Sequence, residues 1–338
     1  MKRQMMQVSV PLILVTGLIL FLGCGKPNDP EVLTPVENSN VVGRLITPGN
    51  AQDLVKQDSL IYIAQGEGGL LIVNVANPEH PEIVSMLTEN VRGYSTKIAK
   101  KDSVVYLAAG SFGLTVVNIA RADTPFVTVS NLNMKPAKDI LIRGKFLLTP
   151  NSEKGITIAG ISYPEQPDIR GSLETPGYAN GATVSADTTL LFVACGEMGL
   201  AVLNIADFQD GYPAYELLGW CDTPGYAEDV VLDEQRHLAF VSSGTAGIQI
   251  LDYSALTNIH IVGKIDPGGY AKELVYKEHR VYFTAETNGF FVYDVTDPLA
   301  PNQLLSMKTE DARGLTLDDH YIYIADQSEG LIIVAKPD

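Results

Sequence analysis

Four acidic residues share one local setting. Asp53, Asp139, Asp229 and Glu273 each stand two positions after a small residue, namely Ala51, Ala137, Ala227 and Ala271. Carboxylates gathered around one point supply the oxygen ligands of a hard cation. Spread around a wetted opening they make an acidic surface and nothing more. No compact Asp/Asn calcium loop accompanies them, so the second reading leads and no metal is expected. Four tyrosines, Tyr94, Tyr178, Tyr226 and Tyr270, stand immediately ahead of small residues of the same kind. Tyrosine offers a rigid amphipathic contact suited to peptides or sugars. The competing role is a wedge between packed elements with only the hydroxyl wet. These eight residues form the candidate partner-binding set. Lys97, Lys138, Lys272 and Arg313 lie beside the acids, where an enzyme would need convergent acid/base partners. A lysine next to an acid is more often an ion pair. The five histidines have no metal-ligand spacing. No catalytic residue, cofactor or metal site is assigned.

The settings recur because the chain does. A glycine followed by an apolar residue opens a β-rich run at Gly69, Gly113, Gly155, Gly199, Gly247, Gly289 and Gly330, at intervals of 41 to 48 residues. The small residues Ala51, Ser95, Ala137, Ala179, Ala227, Ala271 and Ala312 keep the same step. Each copy reads as four short strands rich in β-branched and aromatic residues and bounded by Gly, Pro, Asn and Asp. No segment sustains a helical period. A four-stranded repeat of this length is the signature of a propeller blade.

The fold expected is therefore all-β, a seven-bladed β-propeller of four-stranded antiparallel blades over residues 41–338. The last copy ends after its third strand, and "VVGRLI" at 41–46 resembles the fourth strands elsewhere. An N-terminal strand completing the last blade would close the ring and remove its exposed edges. The runs "LLIVNV", "LTVVNI", "LAVLNI", "IQILDY" and "FFVYDV" resemble the LVIVD repeat. That resemblance implies a bacterial or archaeal surface propeller, and it carries no site residues to this chain. Copy three departs with Gly160, and copy seven with Ala335, where the others have Asn or Asp. The Asn/Asp column itself ends a strand before a turn and is read as structural.

In such a meander the turn between strands two and three shares one face, the top, with the crossover to the next blade. "TPG" at 47–49, 175–177 and 223–225, and "DPG" at 266–268, are expected to form type II turns at those crossovers. The acids, the tyrosines and the hairpin glutamates Glu67, Glu153, Glu197, Glu286 and Glu329 then share an acidic top face. The tether and the C-terminus leave from the bottom.

The start of the chain is read as an address. Residues 1–23 have a basic opening (Lys2, Arg3) and an apolar run broken by Pro11, shorter than a comfortable membrane span. "FLGC" resembles the bacterial lipoprotein box, so residues 1–23 are expected to be a lipoprotein signal peptide and Cys24 the lipidated residue. Residues 24–40 follow as a flexible tether. Gly25 replaces the Asp that marks inner-membrane retention, which favours the outer membrane or cell surface. Cys195 and Cys221 would then sit in an oxidising compartment, where a disulfide is one outcome and two free thiols the other. The 338 residues carry 24 basic and 40 acidic side chains, a net charge of −16, which disfavours nucleic acid. The function expected is a lipid-anchored, non-catalytic binding scaffold of the bacterial cell envelope, held to the membrane by its N-terminal lipid. Its partner is a protein, peptide or glycan. The alternatives are an envelope hydrolase or lyase with a site at the propeller mouth, or a purely structural component.

Overall fold

The computed structural model describes residues 40–206 and 214–337. The expected signal peptide, Cys24 and the tether up to residue 39 lie outside these residues. The described chain folds into seven four-stranded antiparallel sheets. In blade 1 the strands run, from the hub outward, Asp53–Gln57, Leu60–Ala64, Leu70–Asn74 and Glu82–Leu87. The second and third strands are apolar on both faces because each side of a blade packs on a neighbour. Seven apolar clusters result, one at each junction between blades. Tyr62, Leu70 and Ile72 of blade 1 meet Ile98, Leu107 and Val117 of blade 2, for example. Leu54, Ile63 and Leu71 meet Tyr323, Leu331 and Ile333 of blade 7.

The closure is built as the sequence suggests. Val41–Leu45 is the outer strand of the last blade, with Val41 opposite Val334 and Leu45 opposite Leu331. The Ala335 N–H donates to the Asn40 carbonyl at 2.7 Å, so both ends of the described chain lie together at the bottom. The departures at Gly160 and Ala335 leave their blades four-stranded.

The marker glycine before each third strand has two reasons to be glycine. Its φ lies between 71° and 90° in every blade. A Cβ there would also lie 2.0–2.3 Å from the carbonyl oxygen that ends the outer strand, such as that of Ile265 opposite Gly247. A second set works between blades, just beyond the bulge that each outer strand carries. Cβ atoms on Gly43, Gly219 and Gly263 would lie 2.0, 1.9 and 2.1 Å from the carbonyls of Pro78, Leu256 and Pro298 in the following blade. In blade 1 Ser85 takes that place and donates its hydroxyl to the Ala122 carbonyl at 2.5 Å.

Cys195 and Cys221 are both free thiols. Cys195 directly follows the second strand of blade 4, Leu190–Ala194, and Cys221 ends the fourth, with Leu200–Asn204 running between those strands. A disulfide would have to cross an intervening strand, which its short Cα–Cα reach does not allow. Burial pushes the Cys195 thiol up to about 12, so it stays protonated.

Candidate functional site at the propeller mouth

The entry to each inner strand is fixed by the preceding blade. Ser95, Ala137, Ala179, Ala227, Ala271 and Ala312 each form a two-residue β-bridge with the hairpin before them, at Gly66, Gly110, Ser152, Gly196, Gly244 and Glu286. All six are buried, which is why the column is small. The tyrosines follow from the same contact. The rings of Tyr94, Tyr226 and Tyr270 lie over Gly66, Gly196 and Gly244, where a Cβ would come within 2.6–3.0 Å of ring carbons. These three are wedges, half-buried, with Tyr94 accepting from Asn50 and Tyr270 donating to Glu228. The hairpin before Tyr178 carries Ser152 where those three have glycine, and Tyr178 is 48% exposed. Of the four, Tyr226 is the one that lines the central cavity.

The crossover turns differ from expectation. Gly225 and Gly268 adopt φ of 84° and 75°, as a type II turn requires, whereas Gly49 and Gly177 stay outside the left-handed region. What the corners share is close approach. A Cβ on Gly49, Gly177 or Gly225 would lie 2.7, 2.4 or 2.2 Å from the carbonyl of Gln65, Cys195 or Ser243. In the first two, Thr47 and Thr175 close the turn by donating to the glycine carbonyl.

The acids act as staples between inner strands. Asp53 accepts the N–H of Leu54 at 2.7 Å and, from the next blade, that of Ile98 at 2.9 Å. Asp229 repeats this with Val230 at 2.8 Å and Leu274 at 3.1 Å. Asp139 accepts the Ile140 N–H at 2.7 Å. Gly181 and Gly314 occupy the same column, and a Cβ on either would fall within 3 Å of Asp229 or Asp53. Glycine there makes room for the neighbouring aspartate.

The seventh member of the column is Lys97. Its Nζ reaches from blade 2 to the Glu273 carboxylate of blade 6 at 2.5 Å, spanning the hub. Burial opposes the charge on Lys97, but Glu273, Asp53, Asp139 and Asp229 together hold it protonated well above the ordinary lysine range. Burial raises Asp53, with Glu273 adding and Lys97 opposing. Burial also pushes Asp229 up to about 7, against the pull of Lys97 and with the help of Asp139 and Glu273. No three acidic, histidine or cysteine side chains among the described residues are placed to share a metal ion. The cation among these acids is the protein's own lysine.

Above this ion pair opens a cavity of about 320 Å³ lined by residues from all seven blades. The residue preceding each column member forms its rim, including Lys138, Glu228, Lys272 and Arg313. Arg313 bonds Glu286 at 2.8 Å and Asp311 at 2.6 Å.

The profile of the LVIVD repeat matches residues 48–88 and 310–334, the first and last copies of the repeat. The chain is a seven-bladed β-propeller that carries LVIVD repeats. No curated protein matches it. This LVIVD propeller is similar in fold to the WD40 β-propeller domain of Doa1, with a TM-score of 0.66 at 8% identity, covering 88% of this chain and 97% of that one. The crystal structure of the computationally designed Ika8 protein is similar with a TM-score of 0.62 at 7% identity, covering 88% and 100%. At such identities the likeness is one of fold alone.

The structure brings Asp139, Asp229, Glu273 and Tyr226 to the LVIVD propeller's cavity, with Asp53 packed beside it, and leaves Tyr94, Tyr178 and Tyr270 outside the lining. Gln52, Thr96, Asn180 and Glu228 line it without having been singled out. Reading the repeat column one position earlier would have found them.

Proposed function

We propose that this LVIVD propeller is a lipid-anchored component of the bacterial cell envelope, at the outer membrane or cell surface. In this reading it works as a non-catalytic scaffold that binds a protein, peptide or glycan through its mouth face. One observation carries the reading. All seven blades converge on a cavity closed below by Lys97 and Glu273, while the ammonium groups of Lys138 and Lys272 at its edge have no carboxylate partner among the described residues. Convergent polar groups around a concave site are the usual mark of recognition. The basic start, the apolar run and Cys24 support the anchor. Asn40 lies at the face opposite the mouth.

The test is affinity capture from a cell-envelope extract, using the native protein beside a folded Lys138→Glu/Lys272→Glu variant. A partner retained by the native protein and lost by the variant is expected. Equal capture by both, or none by either, sinks the mouth as a binding face and leaves a structural component. A hydrolase or lyase reading draws on Asp229, whose carboxyl sits near neutrality in the cavity. Turnover of envelope glycan or ester substrates that Asp229→Asn abolishes would replace the scaffold reading with it.

A further inference from the structure

The cavity's charges are sorted by depth, and this sorting specifies a ligand. At the rim stand three cations. Lys138 has no acceptor for its ammonium among the described residues and is exposed. Lys272 is half-buried, and among the described residues its ammonium meets only the Tyr270 ring, 5.9 Å from the centroid. Arg313 uses its two terminal nitrogens on Glu286 and Asp311, but its Nε is buried without an acceptor. The rim acid Glu228 already accepts from Tyr270. Below the rim the signs invert. Lys97 is committed to Glu273, and the carboxyl groups left facing the cavity are those of Asp139 and Asp229. The Asp139 carboxylate accepts one N–H, from Ile140, among the described residues.

We propose that this cavity binds a small zwitterion of the amino-acid class, inserted ammonium first, with its carboxylate held at the rim by Lys138, Lys272 and Arg313 and its ammonium below on Asp139 and Asp229. The proposal rests on the mouth being the binding face and names what enters it. A simple anion would have Asp139 and Asp229 beneath it. A simple cation would have to pass three positive side chains. A molecule with both charges on neighbouring carbons meets complementary groups at both depths and leaves no charge of its own unpaired. About 320 Å³ holds such a molecule together with a side chain, against the Tyr226 ring.

The experiment uses the full chain. Each of the twenty common amino acids is screened by thermal stabilisation. The best binder is then compared by calorimetry with its N-acetyl and α-amide derivatives. At least one amino acid is expected to bind, and each derivative to bind about tenfold more weakly or worse, since each loses a charge-assisted contact. Lys138→Gln/Lys272→Gln is expected to weaken the free amino acid and leave the α-amide unaffected. Asp139→Asn is expected to weaken the free amino acid and spare the N-acetyl form. Binding by none of the twenty, or equal binding of parent and derivatives, overturns the proposal. If the amino acids fail while the Lys138/Lys272 variant still loses an envelope partner, only the ligand class falls. If both experiments fail, the mouth is not a binding face.

Discussion

Raising the pH from about 5 to about 8 is expected to destabilise this propeller, and Asp229 supplies a defined part of the effect. Its carboxyl titrates at 3.8 in an unfolded chain and near 7 in the folded one. Between those values the folded protein keeps a proton that the unfolded chain has lost, so stability falls as pH rises through the interval and levels off above 7. From pH 5 to the folded value near 7 about two pH units are crossed, which corresponds to about 3 kcal/mol. For a propeller of roughly 300 residues that is a fall in Tm of about 4 °C. Asp53 is raised by burial and acts in the same direction. Asp318, lowered to about 2, acts oppositely but only at pH below its unfolded value. Lys97 is raised and bears on stability only at alkaline pH. Asp229→Asn imitates the protonated side chain, with one oxygen left to accept from Val230 or Leu274. It should therefore flatten the slope and exceed the native protein in stability above neutrality. Thermal unfolding followed by circular dichroism at about pH 5, 6, 7 and 8 measures both proteins. A native Tm that is constant or rises across this range, or an Asp229→Asn profile parallel to the native one, would refute the assignment of a buried, protonated carboxyl at the hub.

Other substitutions separate the forces acting on the ring. Lys97→Met leaves Glu273 without its partner among three further acids and should cost about 3 kcal/mol in urea denaturation, with part regained on adding Glu273→Gln. Gly247→Ala combines a left-handed φ of 76° with a Cβ 2.1 Å from the Ile265 carbonyl and should cost about 2–5 kcal/mol. Gly144→Ala has a φ of 54° but no heavy atom within 4 Å of its Cβ, so the same unfolding assay should show only about 1–2 kcal/mol. Deleting residues 41–45 exposes the third strand of the last blade as a sheet edge, and light scattering should detect aggregation that the native protein lacks.

The scaffold was legible because it is written seven times. The marker glycines, the small-residue column and the spare strand at 41–46 gave the blade count, the hub and the closure. Each reports a steric demand that backbone geometry repeats at every blade. The Asn/Asp column was likewise readable: Asn74, Asn118, Asn204, Asp252 and Asp294 each accept the N–H two residues on. The crossovers were read half correctly. Pro-Gly suggested a left-handed glycine, but at Gly49 and Gly177 the glycine serves the approach of a carbonyl, a three-dimensional fact that a local turn rule does not contain. The tyrosine wedges were within reach once each tyrosine was matched to the glycine of the preceding hairpin. The Lys97–Glu273 pair was not. Those residues lie 176 positions apart and in blades that are not neighbours, and no repeat rule says which side chains from opposite sides of a ring will meet.

That pair shows where specificity enters a repeated architecture. A perfect sevenfold column of aspartates would place seven like charges around one axis, and burial would force most of them to hold protons. Here aspartate occurs at positions 53, 139 and 229, and each of the two that lie beside a glycine, Asp53 and Asp229, uses the space that Gly314 or Gly181 leaves. Lys97 then reaches across the axis to Glu273 and turns a wide polar channel into a cavity with a floor. The rim breaks the repeat again, with Lys138, Lys272 and Arg313 unevenly placed among blades 3, 6 and 7. The shared residues of the repeat hold the blades together. The residues that differ at the same positions give the mouth an uneven arrangement of charge, and a ligand can bind in one orientation only where that arrangement is uneven.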